Sequence, residues 1–357
     1  MSPRSTAVDP HRQTRLDRAA GVWAASSRYA AVLVLLVSIF VVLSVTQENF
    51  FTRPNLENLL TSVSILFVVS IGMTFVVLTA GIDLSVGSTL ALMGILLSHL
   101  FNNVGLPAWL AVLGTLAAGA LLGALVNGVL IGKVGLSFFV VTLGTLSLYQ
   151  GIVNIWSGTK TTYLTSPLID WFGFGNVVGV PSPIWIMVAT YLVAFVVLRW
   201  TYFGRDVYAV GGNIEAARLS GINVARTLIL VYGIAGLAAA LGGVIQAGRL
   251  GAASPLVGAS IPLDAAAAVL LGGTSFLGGV GGVTGTAVGV LFIGTLQNGL
   301  SIAGVSSFWQ QVVTGVILIV AVAIDRLQQN PSGRFRRAEG GTGHGPTASV
   351  ETAREGD

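Results

Sequence analysis

Cysteine is absent from all 357 residues, which excludes disulfides, thiolate metal sites and cysteine nucleophiles. Charge is almost as scarce: Asp, Glu, Lys and Arg make up 9% of the chain, against about 25% in a globular protein. So few charges cannot clothe a soluble surface of this size. Histidine occurs three times, at His11, His99 and His344, too far apart in sequence to suggest a constellation. No H-E-x-x-H or G-x-S-x-G motif occurs. Gly132-Lys133 is followed by Val134 and lacks the upstream glycine of a phosphate-binding loop, so no nucleotide site is encoded. These absences point to a non-enzyme without a cofactor, and any ATP must be bound by another chain. Aromatic girdles and period-2 alternation are missing too, which argues against a membrane barrel.

What the chain does have is apolar length. Hydrophobic residues are 54% and the mean hydropathy is +0.84. Twenty-five uncharged residues separate Glu57 from Asp83, and 60 separate Asp264 from Asp325; a helix crossing the hydrocarbon core needs about 20. The expected fold is an all-α, polytopic membrane helix bundle. Ten candidate crossings lie near 29–46, 58–80, 85–101, 108–132, 136–156, 183–200, 228–248, 261–276, 282–300 and 307–324. The third and eighth are short enough to be broken or re-entrant helices, whose backbone would have to be buried in protein.

With ten crossings, 15 of the 18 Lys and Arg residues fall on one face, leaving Arg53, Lys160 and Arg249 on the other. The positive-inside rule makes the rich face cytoplasmic and puts both termini there. The domain plan is an Arg-rich cytoplasmic tail (1–28), a membrane domain (29–325) with a cytoplasmic loop at 201–227, and a disordered cytoplasmic tail (326–357). The net charge of +4 belongs to these flanks rather than to a nucleic-acid surface. Forty-seven glycines, with runs such as Gly119–Gly123–Gly128–Gly132 and Gly281–Gly285–Gly289–Gly294, suggest closely approaching helices.

Two halves of the chain echo each other. Gly81-Ile82-Asp83-Leu84 matches Pro262-Leu263-Asp264, Asn127-Gly128 matches Asn298-Gly299, and Ser137-Phe138 matches Ser307-Phe308, at offsets of 181, 171 and 170 residues. Ten crossings make this an inverted repeat, a plan transporters use to place a path at the repeat interface. Asp83 and Asp264 are the two acids beside apolar runs, where an unpaired charge costs about 2.5 kcal/mol or more. They line a polar path or fix a broken helix, and either role is compatible with capping a helix, Asp83 with Ser85 and Asp264 ahead of an alanine run. Asn127 and Asn298 are candidates for the same path, or for helix–helix hydrogen bonds.

The loop 201–227 contains a second motif. Asn213 is a plausible N-cap, Glu215–Leu219 a helix former and Gly221 a stop. Its mixed charge and few apolar residues suit docking into a partner's groove better than lying on lipid.

Three stretches, Gly81-Ile82-Asp83-Leu84-Ser85-Val86-Gly87-Ser88, Gly204-Arg205 through Gly221-Ile222-Asn223, and Ala268-Val269-Leu270-Leu271-Gly272-Gly273-Thr274-Ser275, closely resemble permease subunits of ribose-type ATP-binding-cassette sugar importers, inner-membrane components of binding-protein-dependent systems. The resemblance covers about residues 30 to 325. It implies that Gly212, Asn213, Glu215, Ala216, Ala217, Arg218 and Gly221 form the helix that couples to the ATPase. It also implies ATPase partners, an extracytoplasmic sugar-binding protein, a second permease copy as a homodimer, and alternating access in a bacterial inner membrane. The expected cargo is a ribose-like pentose or a hexose; the alternatives are a nucleoside or other small polar solute, or a stand-alone ion-coupled transporter using Asp83 and Asp264.

Overall fold

The computed structural model describes residues 30–329; the arginine-rich segment 1–28 and the tail beyond Gln329 lie outside the described residues. Every one of the ten candidate crossings becomes a helix. They are α1 (Ala30–Thr46), α2 (Arg53–Leu78), α3 (Val86–Ser98), α4 (Ala108–Gly132), α5 (Phe138–Ser157), α7 (Ser182–Trp200), α10 (Val224–Leu250), α11 (Ile261–Leu271), α12 (Val283–Ile302) and α13 (Ser307–Gln329). Between them lie α6 (Pro167–Phe174), α8 (Tyr202–Gly212) and α9 (Ile214–Leu219). Among the described residues, seven helices are long and apolar enough to cross a membrane: α2, α4, α5, α7, α10, α12 and α13. The last of them continues to Gln329, past the 325 boundary drawn from sequence.

α2 and α10 form the buried centre and run antiparallel. Arg249, near the end of α10, hydrogen-bonds Asn58 (3.0 Å) and Ser62 (2.6 Å) near the start of α2. At the opposite end, Gly81 packs against the Tyr232 hydroxyl. α4 lies antiparallel to α10, with Gly119 and Gly123 against Gly236 and the Tyr232 main chain, and Gly128 and Gly132 against Ile229 and Ala225. The glycine spacing of four, five and four would drift off one face of a regular α-helix. A π-turn at Gly123–Gly128 absorbs the extra residue and keeps all four glycines on the contact. Their packing role, expected from sequence, is realised here.

The second half repeats this with exchanged partners. α12 lies antiparallel to α2, Gly294 meeting Val63 and Thr286 Oγ1 meeting Thr74 Oγ1 at 2.8 Å. Gly285 and Gly289 press on the carbonyls of Gly272 and Ala268 in the α11 hairpin; Gly281 of that run precedes the helix. Thus α2–α5 and α10–α13 are an inverted repeat. The structure corrects one of the sequence matches. Aligning the helices pairs the N-caps Ser85 and Ser260, so Asp83 lies two residues before its cap while Asp264 sits inside the first turn of α11. The two aspartates are not equivalent, because the connection before α11 is longer than that before α3.

Both short helices begin inside the bundle, and their N-terminal ends meet where Gly87 packs on Gly258 and Pro262. α3 runs from there toward one end and is extended by a π-turn at His99–Asn103; α11 runs toward the other. Two chain breaks feed them, residues 79–85 and 251–260. One end of the bundle gathers Lys133, Arg199, Arg205, Arg218 and Arg226 and is called the basic end below; α8 and α9 lie there. The opposite end carries α6 and two small antiparallel ladders. In these, Thr162–Tyr163 pairs with Ala252–Ala253 and Asn176–Val177 with Val180–Pro181.

Candidate functional site

The break at 79–85 is closed by a buried polar cluster. Asp83 is 2% exposed. Its Oδ1 accepts the Ser85 backbone N–H at 2.9 Å and the Ser85 hydroxyl at 2.5 Å. The Asn127 amide, placed by the π-turn of α4, donates to Ser85 Oγ at 2.9 Å and reaches Asp83 Oδ2 at 3.4 Å. Thr142 of α5 leans on the Ile82 carbonyl at 3.4 Å. Ser85 thereby starts α3 with its own carbonyl taking Ser88 Oγ, Thr89 Oγ1 and Thr89 N–H. Rather than a first-turn N–H of α3, the Asp83 carboxylate accepts the N–H of the cap residue itself. Asn127 Oδ1 has no partner among the described residues, and no group of three acidic or histidine side chains able to hold a metal exists among them.

Asp264 does not join this cluster. It is buried in the first turn of α11, its own N–H already bonded to the Ser260 carbonyl, so it does not cap the alanine run as expected. Its carboxylate is within side-chain hydrogen-bond reach of Ser260, Gln297 and Thr314. Asn298 lies elsewhere again. It exchanges two hydrogen bonds with Asn55, at 3.2 and 3.0 Å, clasping α12 to α2. Of the five path candidates, Asp83, Ser85 and Asn127 come together, while Asp264 and Asn298 serve separate helix contacts.

At the basic end the expected short helix is present. Asn213 caps α9, its Oδ1 accepting the Ala216 N–H at 2.9 Å. Gly221 ends it with a φ of +81°, a value glycine adopts freely. Glu215 sits in the first turn and Arg218 in the last, each complementing the helix dipole. They pair at 3.0 Å with side chains 67% and 62% exposed, so the pair adds little stability. Ala217 is buried against Val210, Val224 and Leu228, which anchors the helix. Leu219, by contrast, is 88% exposed, and Ile214 is exposed beside it. A Cβ on Gly212 would meet open space, although Gly279 packs against its main chain, and Ala216 donates its N–H to the cap.

Sequence reading missed α8, the helix that carries α9. Its signal was present: Thr201 accepts the Gly204 N–H at 3.1 Å, a Thr N-cap ahead of a glycine that must approach α7. α8 is fixed to the membrane helices at two points. Gly211 packs directly on the Leu78 carbonyl at the end of α2, and that carbonyl accepts the Gly279 N–H at 2.9 Å. Tyr208 donates to the Gly281 carbonyl at 2.9 Å. Burial pushes the Tyr208 phenol above its ordinary value, against a smaller opposing pull from Arg199, so it stays a donor. A cavity of about 440 Å³ separates α7 and α8 from residues 272–285 and is lined by Arg199, Arg205 and Tyr208. The contact of Gly211 with Leu78 stands immediately before the 79–85 break.

Comparison with known proteins fits this geometry. Residues 55–322 match the family described as the permease component of the branched-chain amino acid transport system. The ribose import permease protein of Escherichia coli K12 is 43% identical over 301 residues, 83% of this chain and 93% of its own. That of Bacillus subtilis 168 is 43% identical over 288 residues, covering 80% and 89%. The L-arabinose ABC transporter permease protein of Azospirillum brasilense is 35% identical over 331 residues, covering 92% and 97%. No solved structure matches the chain.

Proposed function

Because the chain belongs to this family of transport-system permease components, we propose that it is the membrane-spanning permease subunit of an ATP-binding-cassette importer for a simple sugar, with a pentose such as ribose or arabinose as the cargo class. It is a multi-pass membrane protein and the non-catalytic component of its system. ATP hydrolysis belongs to separate partner subunits, and sugar is handed over by an extracytoplasmic binding protein. Two copies of the chain form the permease of a bacterial inner membrane. The basic end faces the cytoplasm, in keeping with the positive-inside rule.

One observation carries the mechanism: α9 presents unpartnered Leu219 and Ile214 beyond the bundle, while α8 behind it is bolted to Leu78 through Gly211. A short capped helix with an apolar tip fits a groove on another protein. In our reading that protein is the ATPase. Its closure on ATP moves α9, α8 transmits the movement to the end of α2, and the break at 79–85 shifts with it. Such coupling requires the ATPase to interact differently with the two permease states. The buried Asp83 cluster then acts as a rigid joint rather than as a proton relay, since no basic side chain is hydrogen-bonded to it among the described residues.

The test uses the assembled importer. Glu215→Lys reverses the charge in the first turn of α9, and Gly221→Pro forces φ near −65° where +81° is needed. Both variants should insert into the membrane at normal levels, fail to co-purify the ATPase and lose uptake. Normal co-purification and uptake by both would overturn the coupling role.

A further inference from the structure

Irregular backbone persists at membrane depth only where protein buries it or water wets it. Residues 254–260, between the Ala252–Ala253 strand and α11, are such backbone. Two helix lengths set their depth. The 11 residues of α11 place Ile261 about 16 Å from the basic end. Gly258 packs on Gly87, the second residue of α3, which lies about 18 Å of helix below the other end. Both counts put the segment near the middle of a core roughly 30 Å thick. Yet Leu256 is 86% exposed and Ala259 is exposed with it.

The helix beside this segment also departs from what lipid requires. On α5, Ser147 and Asn154 are exposed on the same face, seven residues apart. Gln150, about one turn from each, donates to the Pro255 carbonyl at 3.2 Å and reaches Asn154 Oδ1 at 3.4 Å. The outward faces of α4 and α7 are apolar by contrast: Trp109, Leu113 and Leu121 on α4, and Trp185, Leu192 and Val193 on α7, whose single outward charge, Arg199, stands at its end. Lipid is a suitable solvent for α4 and α7 but not for this face.

We infer that the face formed by Ser147, Gln150 and Asn154 of α5 and the main chain of residues 254–260 is a sugar-contacting wall of the import passage, a site for monosaccharide hydroxyls. The inference rests on the sugar-import reading above and adds the place where the sugar is touched. The chemistry suits it. A sugar ring carries hydroxyls that both donate and accept, and the two amides and one hydroxyl do the same. Leu256 offers an apolar surface to the ring's C–H edge. A hydrated wall of this kind also answers the requirement that the exposed main chain be solvated.

The absence of cysteine makes the test direct. Ser147→Cys, Ala259→Cys and, as the control on the lipid face, Leu192→Cys are placed singly in the complete importer, permease with ATPase and binding protein, in membranes. A membrane-impermeant thiosulfonate should label positions 147 and 259 and leave 192 unlabelled, and ribose supplied with the binding protein should slow labelling at 147 and 259. Gln150→Leu should lower ribose uptake about tenfold, the worth of one lost hydrogen bond, with ATP hydrolysis retained. Labelling at 147 and 259 as poor as at 192 would overturn the proposal and mark the face as covered by lipid or by a second copy. Labelling that ribose does not slow would overturn it as well, leaving a wet face with no sugar site. Ribose and arabinose uptake by the unaltered importer is measured alongside. Its absence sinks the import reading, whereas normal uptake with unprotected cysteines sinks only the wall.

Discussion

The two breaks in the inverted repeat meet the same problem in opposite ways. At residues 79–85 Ala80 is exposed but the polar cluster behind it is enclosed: Asp83 supplies the acceptor, and Ser85 and Asn127 the donors. At residues 254–260 the acid sits beyond the cap, Asp264 reaching Ser260 from inside the helix, one side-chain amide reaches one carbonyl, and Leu256 stands in the open. The first break is built like a joint, the second like a lining. Their connections differ accordingly: the first is fixed through Leu78 to α8, whereas the second hangs between a surface ladder and α11.

The largest expected effect lies where the joint meets its drive. Gly211→Val would drive a side chain into the Leu78 carbonyl, parting α8 from α2. Uptake should fall to background while the purified importer still hydrolyses ATP; retained uptake would mean that α8 does not carry the stroke. Next comes the joint itself. Asp83→Leu strands the Ser85 N–H, its hydroxyl and the Asn127 amide, and should cost about 3 kcal/mol of stability, read by thermal unfolding in detergent. Asp83→Asn should lose less than half of that, because it keeps an acceptor and its new amide can serve the unpartnered Asn127 Oδ1. The contrasting change in the lining, Leu256→Ala, should leave stability within about 0.5 kcal/mol. Equal losses at 83 and 256 would erase the distinction between the breaks. Smallest of all, Arg218→Ala removes an exposed ion pair and should shift stability by less than about 0.5 kcal/mol.

Much of this architecture was legible in the sequence because membrane helices announce themselves by length, and all ten apolar segments became helices. The cap at Asn213 and the stop at Gly221 were legible too, since each follows from one residue's local chemistry. The glycine run 119–132 announced close packing, but not the π-turn that keeps it on one face, because a 4-5-4 spacing has meaning only beside a partner helix. The equivalence of Asp83 and Asp264 failed for a physical reason. Short matches cannot register an insertion, and the connection into α11 carries extra residues that move its acid inside the first turn. Asn298 looked like a second Asn127. Its partner, Asn55, is 243 positions away, and only folding reveals the clasp. α8 was overlooked because three glycines dilute its helical signal. Those glycines are what allow it to lie against α7 and Leu78.

The most direct measurement of the whole account is ribose accumulation by proteoliposomes that contain this chain with and without its ATPase, binding protein and ATP. Accumulation only when all three accompany the chain, and its loss with Gly211→Val, is the expected result. Accumulation by the chain alone, driven by an ion gradient, would contradict it.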